Sequence, residues 1–188
     1  MFFKTLIIFI FFFNFFFSAH ANDKQNIIDR LSKIRNFSFS FEQTSGKKRE
    51  TGTCLLEFDK KLKCNYNDKL QKEIVINNKT LVILHKKNEK IYFYPISKSP
   101  FLNILVKDKL ITLIQKSELI LNKNIKLVYL DDNQRIITVF FEKKNYDLIG
   151  WKIEDEFQNE MYFSLDIQNK NTEIDNDLFK IPSKLIKK

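Results

Sequence analysis

The 188-residue chain has a net charge of +9, three glycines and two histidines. So few glycines exclude a Gly-rich phosphate loop, and so few imidazoles leave little room for histidine-based catalysis. The basic balance suits nucleic acid or anionic membrane, but the lysines are scattered among Asp and Glu, with no like-charged run longer than the three residues Lys47-Lys48-Arg49. That scatter reads as a solvated surface, with weak attraction to anionic lipid head groups as the alternative.

Lys4 precedes an apolar run over residues 6–17 that only Asn14 interrupts, and Ala19-His20-Ala21 follows. This is the layout of a secretory signal with an A-x-A cleavage site. The run is shorter than the roughly 20 residues of a transmembrane helix. Residues 1–21 are therefore expected to be cleaved, and residues 22–188 to form one domain. No cysteine follows the cleavage site, so the new N-terminus is not expected to be lipidated. Export also removes the chain from DNA, which argues against a nucleic-acid partner.

Residues 23–35 follow as a helix, with Ile27, Ile28, Leu31 and Ile34 on one stripe of a 3.6-residue period. The period then changes to two. Phe37, Phe39 and Phe41 alternate with Ser38, Ser40 and Glu42, the pattern of a half-buried strand with an aromatic face. Further strands are predicted at residues 52–58, 62–66, 73–77, 80–85 and 90–94. Cys54 and Cys64 flank a turn near Asp59-Lys60, and a hairpin there sets them opposite one another, within disulfide geometry. A metal site from Cys54, Cys64 and His85 lacks a recognisable ligand spacing.

Alternation stops at Pro95. Ser99-Pro100 opens a short helix, Ser as N-cap and Pro at the first helical position. Phe101, Leu102, Ile104 and Leu105 make that helix apolar on more than one face, as in a lid touching two surfaces. A second helix is predicted at residues 108–116. Strands resume at residues 118–121, 125–130, 136–142, 150–156 and 160–167, with a terminal extended stretch at Phe179-Lys180-Ile181. The fold class is α+β, mainly β. About eleven antiparallel strands curl into an incomplete barrel, with short helices covering an apolar concave face. A closed barrel with a filled interior is the alternative.

Reaction chemistry is missing from this pattern. His20 leaves with the signal, so a Ser-His-Asp or Cys-His site would rest on His85 alone. No G-x-S-x-G or H-E-x-x-H motif occurs, and Glu154-Asp155-Glu156 reads as a solvated edge or turn. No enzyme activity and no cofactor are expected.

The order of landmarks resembles one family. Phe39, Phe41 and Gln43 form Phe-x-Phe-x-Gln; Gly52 opens a strand; a hairpin spans residues 57–66; Asn77-Asn78-Lys79-Thr80-Leu81 follows a strand. A Tyr-rich strand precedes Ser99-Pro100-Phe101-Leu102-x-Ile-Leu, and Phe179-x-Ile-Pro182 closes the series. The chain is similar to the periplasmic outer-membrane lipoprotein carrier proteins of the LolA family. The resemblance implies a monomeric periplasmic carrier of lipoprotein acyl chains. Its partners would be acylated lipoproteins, an inner-membrane ABC transporter and an outer-membrane receptor. Phe39, Phe41, Phe58, Leu62, Ile76, Leu81, Ile83, Tyr92, Tyr94, Trp151, Met161 and Phe163 are the expected wall of the lipid cavity. Phe101, Leu102, Ile104 and Leu105 are its expected lid. Phe58 and Asp59 stand where the family carries an Arg-Pro latch, so Phe58 is expected to pack against the lid around Phe101 and Leu102. The same fold also serves free-lipid binders and lipoprotein-sensing modules, and an envelope structural module would have a filled core instead.

Overall fold

The computed structural model describes residues 18–58, 60–99, 102–132, 134–154 and 159–181. Helix α1 (Ser18–Ser32) leads into six strands: β1 (Asn36–Ser45), β2 (Lys48–Glu57), β3 (Lys61–Tyr66), β4 (Lys72–Asn77), β5 (Thr80–His85) and β6 (Lys90–Pro95). Two short helices interrupt them, α2 (Leu102–Leu105) and α3 (Lys107–Lys116). Five strands follow: β7 (Glu118–Leu121), β8 (Ile125–Leu130), β9 (Ile136–Phe141), β10 (Leu148–Glu154) and β11 (Glu160–Lys170).

All eleven strands join one sheet in the order β6-β5-β4-β3-β2-β1-β11-β10-β9-β8-β7. Every pairing is antiparallel, and the end strands β6 and β7 do not pair with each other. The barrel is thus open. One non-local pairing unites its two halves: β1 runs against β11 from Phe37↔Lys170 to Ser45↔Met161, with a bulge between Ser38 and Phe39. These are two of the longest strands, and their alternating residues Phe37, Phe39, Phe41, Phe163 and Leu165 are buried.

Turn chemistry explains why neighbours in sequence are neighbours in the sheet. Gly46, at φ +56°, closes the β1–β2 hairpin, and Asn78, at φ 55°, closes β4–β5. Gly52 has a different task. A Cβ there would lie 2.1 Å from the Asn65 carbonyl oxygen and 2.7 Å from the Phe41 ring. Register places Gly52 between Phe41 on β1 and Tyr66 on β3. The Phe41 ring crosses the bare backbone and meets the Tyr66 ring edge-on at 4.8 Å.

Helix α1 buries Ile27 and Leu31, with Ile34 just beyond it, as the stripe predicts. Its last turn tightens through Lys33 N to Arg30 O and Ile34 N to Leu31 O bonds, which ends the helix before the expected Arg35. Lys24 Nζ donates to the Ser117 carbonyl at 2.6 Å. Tyr146 Oη donates to Asp23 and accepts from Asn26, each at 3.1 Å.

The main departure lies at the C-terminal end. In place of the extended stretch expected at residues 179–181, Asn176–Phe179 form a 3-10 turn, with the Asp175 carboxylate accepting from Asp177 N. Phe179 is wholly buried behind β3 and β4, held by Asn77 Nδ2 to its carbonyl at 3.1 Å and by Lys61 Nζ to Asn176 at 2.9 Å. A local capped turn satisfies the backbone here, so the segment has no need of a strand partner.

The Gly52 packing yields a stability prediction. Gly52→Ala forces the new methyl against backbone that has no room to move. We expect a loss of about 2 kcal/mol or more, seen as a lower denaturant midpoint with an unchanged slope.

Candidate functional site

A row of rings crosses the middle of the sheet. Trp151 on β10 stacks on Phe163 of β11 at 4.4 Å and 6° between planes; Phe163 stacks on Phe41 at 4.8 Å and 16°. Phe41 passes over Gly52 to Tyr66, and Phe39 contacts Phe163 edge-on at 6.3 Å. Each ring sits on the concave face because strand alternation places it there. The row is a flat apolar floor for the space above it.

That space is a narrow apolar cavity of about 40 Å³. Its walls are Phe39, Leu56, Leu62, Cys64, Tyr66, Ile74, Ile76, Leu81, Trp151 and Phe163, and its roof is Ile104 and Leu105 of α2. The lining has almost no polar surface, so the pocket offers a ligand dispersion and exclusion from water but no charge to recognise. Helix α2 stops at Leu105 because Val106 is extended, and both Ile104 and Leu105 are fully buried.

Eight of the expected residues are brought together here: Phe39, Leu62, Ile76, Leu81, Ile104, Leu105, Trp151 and Phe163. Leu56, Cys64, Tyr66 and Ile74 line the pocket as well, and sequence reasoning misses them as cavity residues. The period-two pattern contains them, since Leu56 shares a face with Cys54 and Ile74 shares one with Ile76. Phe41 lies beneath Phe163 as part of the floor. Ile83 is half-buried beside Ile74, and Leu102 packs against the core; neither lines the pocket. Met161 accepts a hydrogen bond from Gln43 Nε2 at its sulfur, 3.5 Å away. Tyr92 and Tyr94 stand outside, exposed on β6, because the walls end at Leu81 on β5. Phe101 lies outside the described residues.

The expected contact of Phe58 with the lid around Phe101 and Leu102 falls partly outside the described residues, and other contacts tie the roof down. Lys60 N, in the β2–β3 hairpin, donates to the Leu105 carbonyl at 3.2 Å. Lys107, the first residue of α3, holds its ammonium 5.2 Å above the Phe58 ring and donates to the Ile34 carbonyl at 2.7 Å. Phe58 itself packs against Phe37 at 6.1 Å, and its N–H donates to Arg35 O. Roof, hairpin and the end of α1 thus meet at one cation over one ring.

Cys54 and Cys64 face each other in register on β2 and β3 and are disulfide-bonded in the structure, their Cα atoms 4.1 Å apart. Among the described residues no cluster of His, Cys, Asp or Glu could hold a metal ion.

Polar groups close one end of the ring row. Tyr66 Oη donates to Gln43 Oε1 at 2.9 Å, and Lys72 Nζ lies 3.7 Å from the Tyr66 ring centre. Burial opposes the charge on Glu50, yet hydrogen bonds from Lys72 and Lys48 outweigh it and hold the carboxyl below its usual range. Burial, with the Glu50 and Asp68 charges adding to it, pushes the Tyr66 phenol well above its usual value. The folded state therefore keeps Tyr66 protonated where the unfolded chain loses the proton. Stability from this source is complete below the unfolded value of about 10 and falls as pH rises through and beyond it. We expect denaturation midpoints to drop between about pH 9 and 11, and to drop less steeply in Y66F.

Residues 32–182 match the family described as outer membrane lipoprotein carrier protein LolA. An outer-membrane lipoprotein carrier protein of Campylobacter jejuni is 29% identical over 181 residues, covering 94% of this chain and 92% of its own. Two solved structures share the fold. An uncharacterized conserved protein from Thermus thermophilus aligns with a TM-score of 0.54 at 11% identity, over 85% of this chain and 94% of that one. The Mycobacterium tuberculosis lipoprotein LppX aligns at 0.50 and 11% identity, over 84% and 97%. The family match covers the sheet, the roof helices and the buried turn behind β3, so this chain belongs to the LolA family of outer membrane lipoprotein carrier proteins.

Proposed function

We propose that this chain is a periplasmic carrier, acting as a monomer, that shelters the acyl chains of lipoproteins between two membranes. It accepts them from an inner-membrane ABC transporter and gives them up to an outer-membrane receptor. It performs no catalysis. The observation that carries this reading is the roofed apolar pocket: nonpolar on every side, and closed by a four-residue helix whose Leu105 carbonyl is held by Lys60 N.

The energetics support a pocket of this kind. One acyl chain, at about 0.8 kcal/mol per buried CH₂, gives marginal membrane binding, whereas several hold a lipoprotein in place. A carrier has to match that apolar environment and then let go. Ile104 and Leu105 occupy the roof in the closed state. Lifting α2 opens the pocket, and cargo takes over the contacts that α2 gives up. Residues 1–21 are read as an export signal removed after Ala21. Lys24, Asp23, Asn26, Ile27 and Leu31, which dock α1, all lie beyond that cut.

Two expected outcomes test the reading. Membranes that hold the source transporter and ATP, incubated with the purified protein, release lipoproteins into a soluble complex only when both ATP and this chain are present. No release from a demonstrably active transporter, together with lipid found in the purified protein by mass spectrometry, would instead identify a free-lipid binder. For the latch, K107A and F58A each remove a contact of about 1–2 kcal/mol. We expect roughly tenfold more of the open form in each, read as increased fluorescence of a hydrophobic dye. An unchanged dye response in both variants would rule out this latch.

A further inference from the structure

We propose that the β6 edge of the sheet is a docking surface for anionic phospholipid bilayers. This goes beyond the carrier reading and does not depend on it, since no cargo and no pocket are involved. β6 is the end strand of the sheet, so among the described residues one side of its backbone has no strand partner. Its three consecutive rings are all exposed: Tyr92 at 38%, Phe93 at 54% and Tyr94 at 48%. Leu70 is exposed at 39% and lies beside the strand's start, where Lys87 N donates to its carbonyl.

The arrangement of these side chains favours one occupant. Strand alternation puts Tyr92 and Tyr94 on the concave side and Phe93 on the convex side. A protein surface laid on one face of the sheet would leave the other face's rings in water. A bilayer interface surrounds the edge and covers both faces together. Tyrosine suits that depth, with its ring among acyl and glycerol groups and its hydroxyl among head groups.

Charge gives the lipid class. Residues 79–98 contain five lysines and one glutamate. Lys86 is engaged by Glu73, which leaves four. Lys87 and Lys90 are exposed at one end of the β6 edge. Lys79 is exposed at the other end, where its carbonyl accepts from Ile96 N. Lysines bracketing a strip of rings can lay their stems along it and reach phosphate with their ammonium groups. Each basic residue near an anionic surface contributes about 1 kcal/mol, or about fivefold in affinity.

An extended peptide adding to the strand edge is the competing occupant. It would have no use for lysines at both ends or for rings on both faces, and Pro95 offers no N–H at the strand's end.

The test is vesicle flotation with protein recovered from the soluble fraction of an expressing bacterium, its N-terminus checked by mass spectrometry. At low salt the protein should float with phosphatidylethanolamine–phosphatidylglycerol vesicles and not with phosphatidylcholine vesicles. The double variant K87E/K90E should weaken binding by at least about thirtyfold, and F93S by about tenfold or more. K123E, which makes the same charge change at the far edge of the sheet, should leave binding largely intact. Phe93 is half in solvent, so F93S should fold, and a wild-type circular dichroism spectrum and melting temperature verify this. Three results would overturn the proposal: no flotation on anionic vesicles at low salt, equal flotation on neutral vesicles, or full binding by both β6 variants. Capture of an extended peptide without any vesicle binding would also overturn it, assigning the edge to a protein partner.

Discussion

A concave apolar sheet cannot stand open in water, and the short roof over this one is the constraint on which the rest of the structure depends. Apolar surface left exposed costs about 25 cal/mol per Å² and invites aggregation. Here two side chains of a four-residue helix, Ile104 and Leu105, close the space. So short a helix has little stability of its own. It stays in place through what it touches: the sheet below, the hairpin backbone at Lys60 and α3 alongside. The roof therefore covers the pocket while resting on few contacts, which suits the reversible covering that the proposed function requires.

The floor contrasts with the roof. Four stacked or edge-on rings span β10, β11, β1 and β3, crossing β2 where Gly52 supplies no side chain. Aromatic pairs of this geometry add to what burial alone gives. The row ends in a phenol bonded to Gln43, with Lys72 over the ring and paired to Glu50. Charge is thus kept at the rim, where it is partly hydrated, and the pocket itself stays nonpolar.

Much of this is legible in residue order. The change from a 3.6-residue period at Ile27–Leu31 to a two-residue period at Phe37–Phe41 marks the passage from α1 to β1, and the strand count of eleven follows from the same alternation. Strand starts are harder to read. β2 begins at Lys48, four residues before Gly52, because Lys48 to Thr51 are mostly exposed and give no apolar alternation. The pocket is legible as a face but not as a volume. Alternation identifies Tyr92, Tyr94 and Leu81 alike as concave residues, and only the reach of the roof separates Leu81 from the other two. The latch is not legible at all, since Lys107, Ile34 and Phe58 are distant in sequence and meet through helix and hairpin geometry. The turn at Phe179 reads as extended because one aromatic among polar residues fits either conformation, and the Asp175 cap decides it.

Phe179 has one consequence for how the pocket changes size. Seated behind β3 and β4, with Val75, Val82, Leu84, Ile91 and Ile181 forming a second apolar cluster nearby, it gives this half of the sheet apolar packing on its outer side as well. A strand pair wedged on both faces resists bending, as a plywood sheet does compared with a single veneer. Under the proposed carrier function, a bulkier guest would be accommodated by displacing the short roof helix rather than by bending this wall.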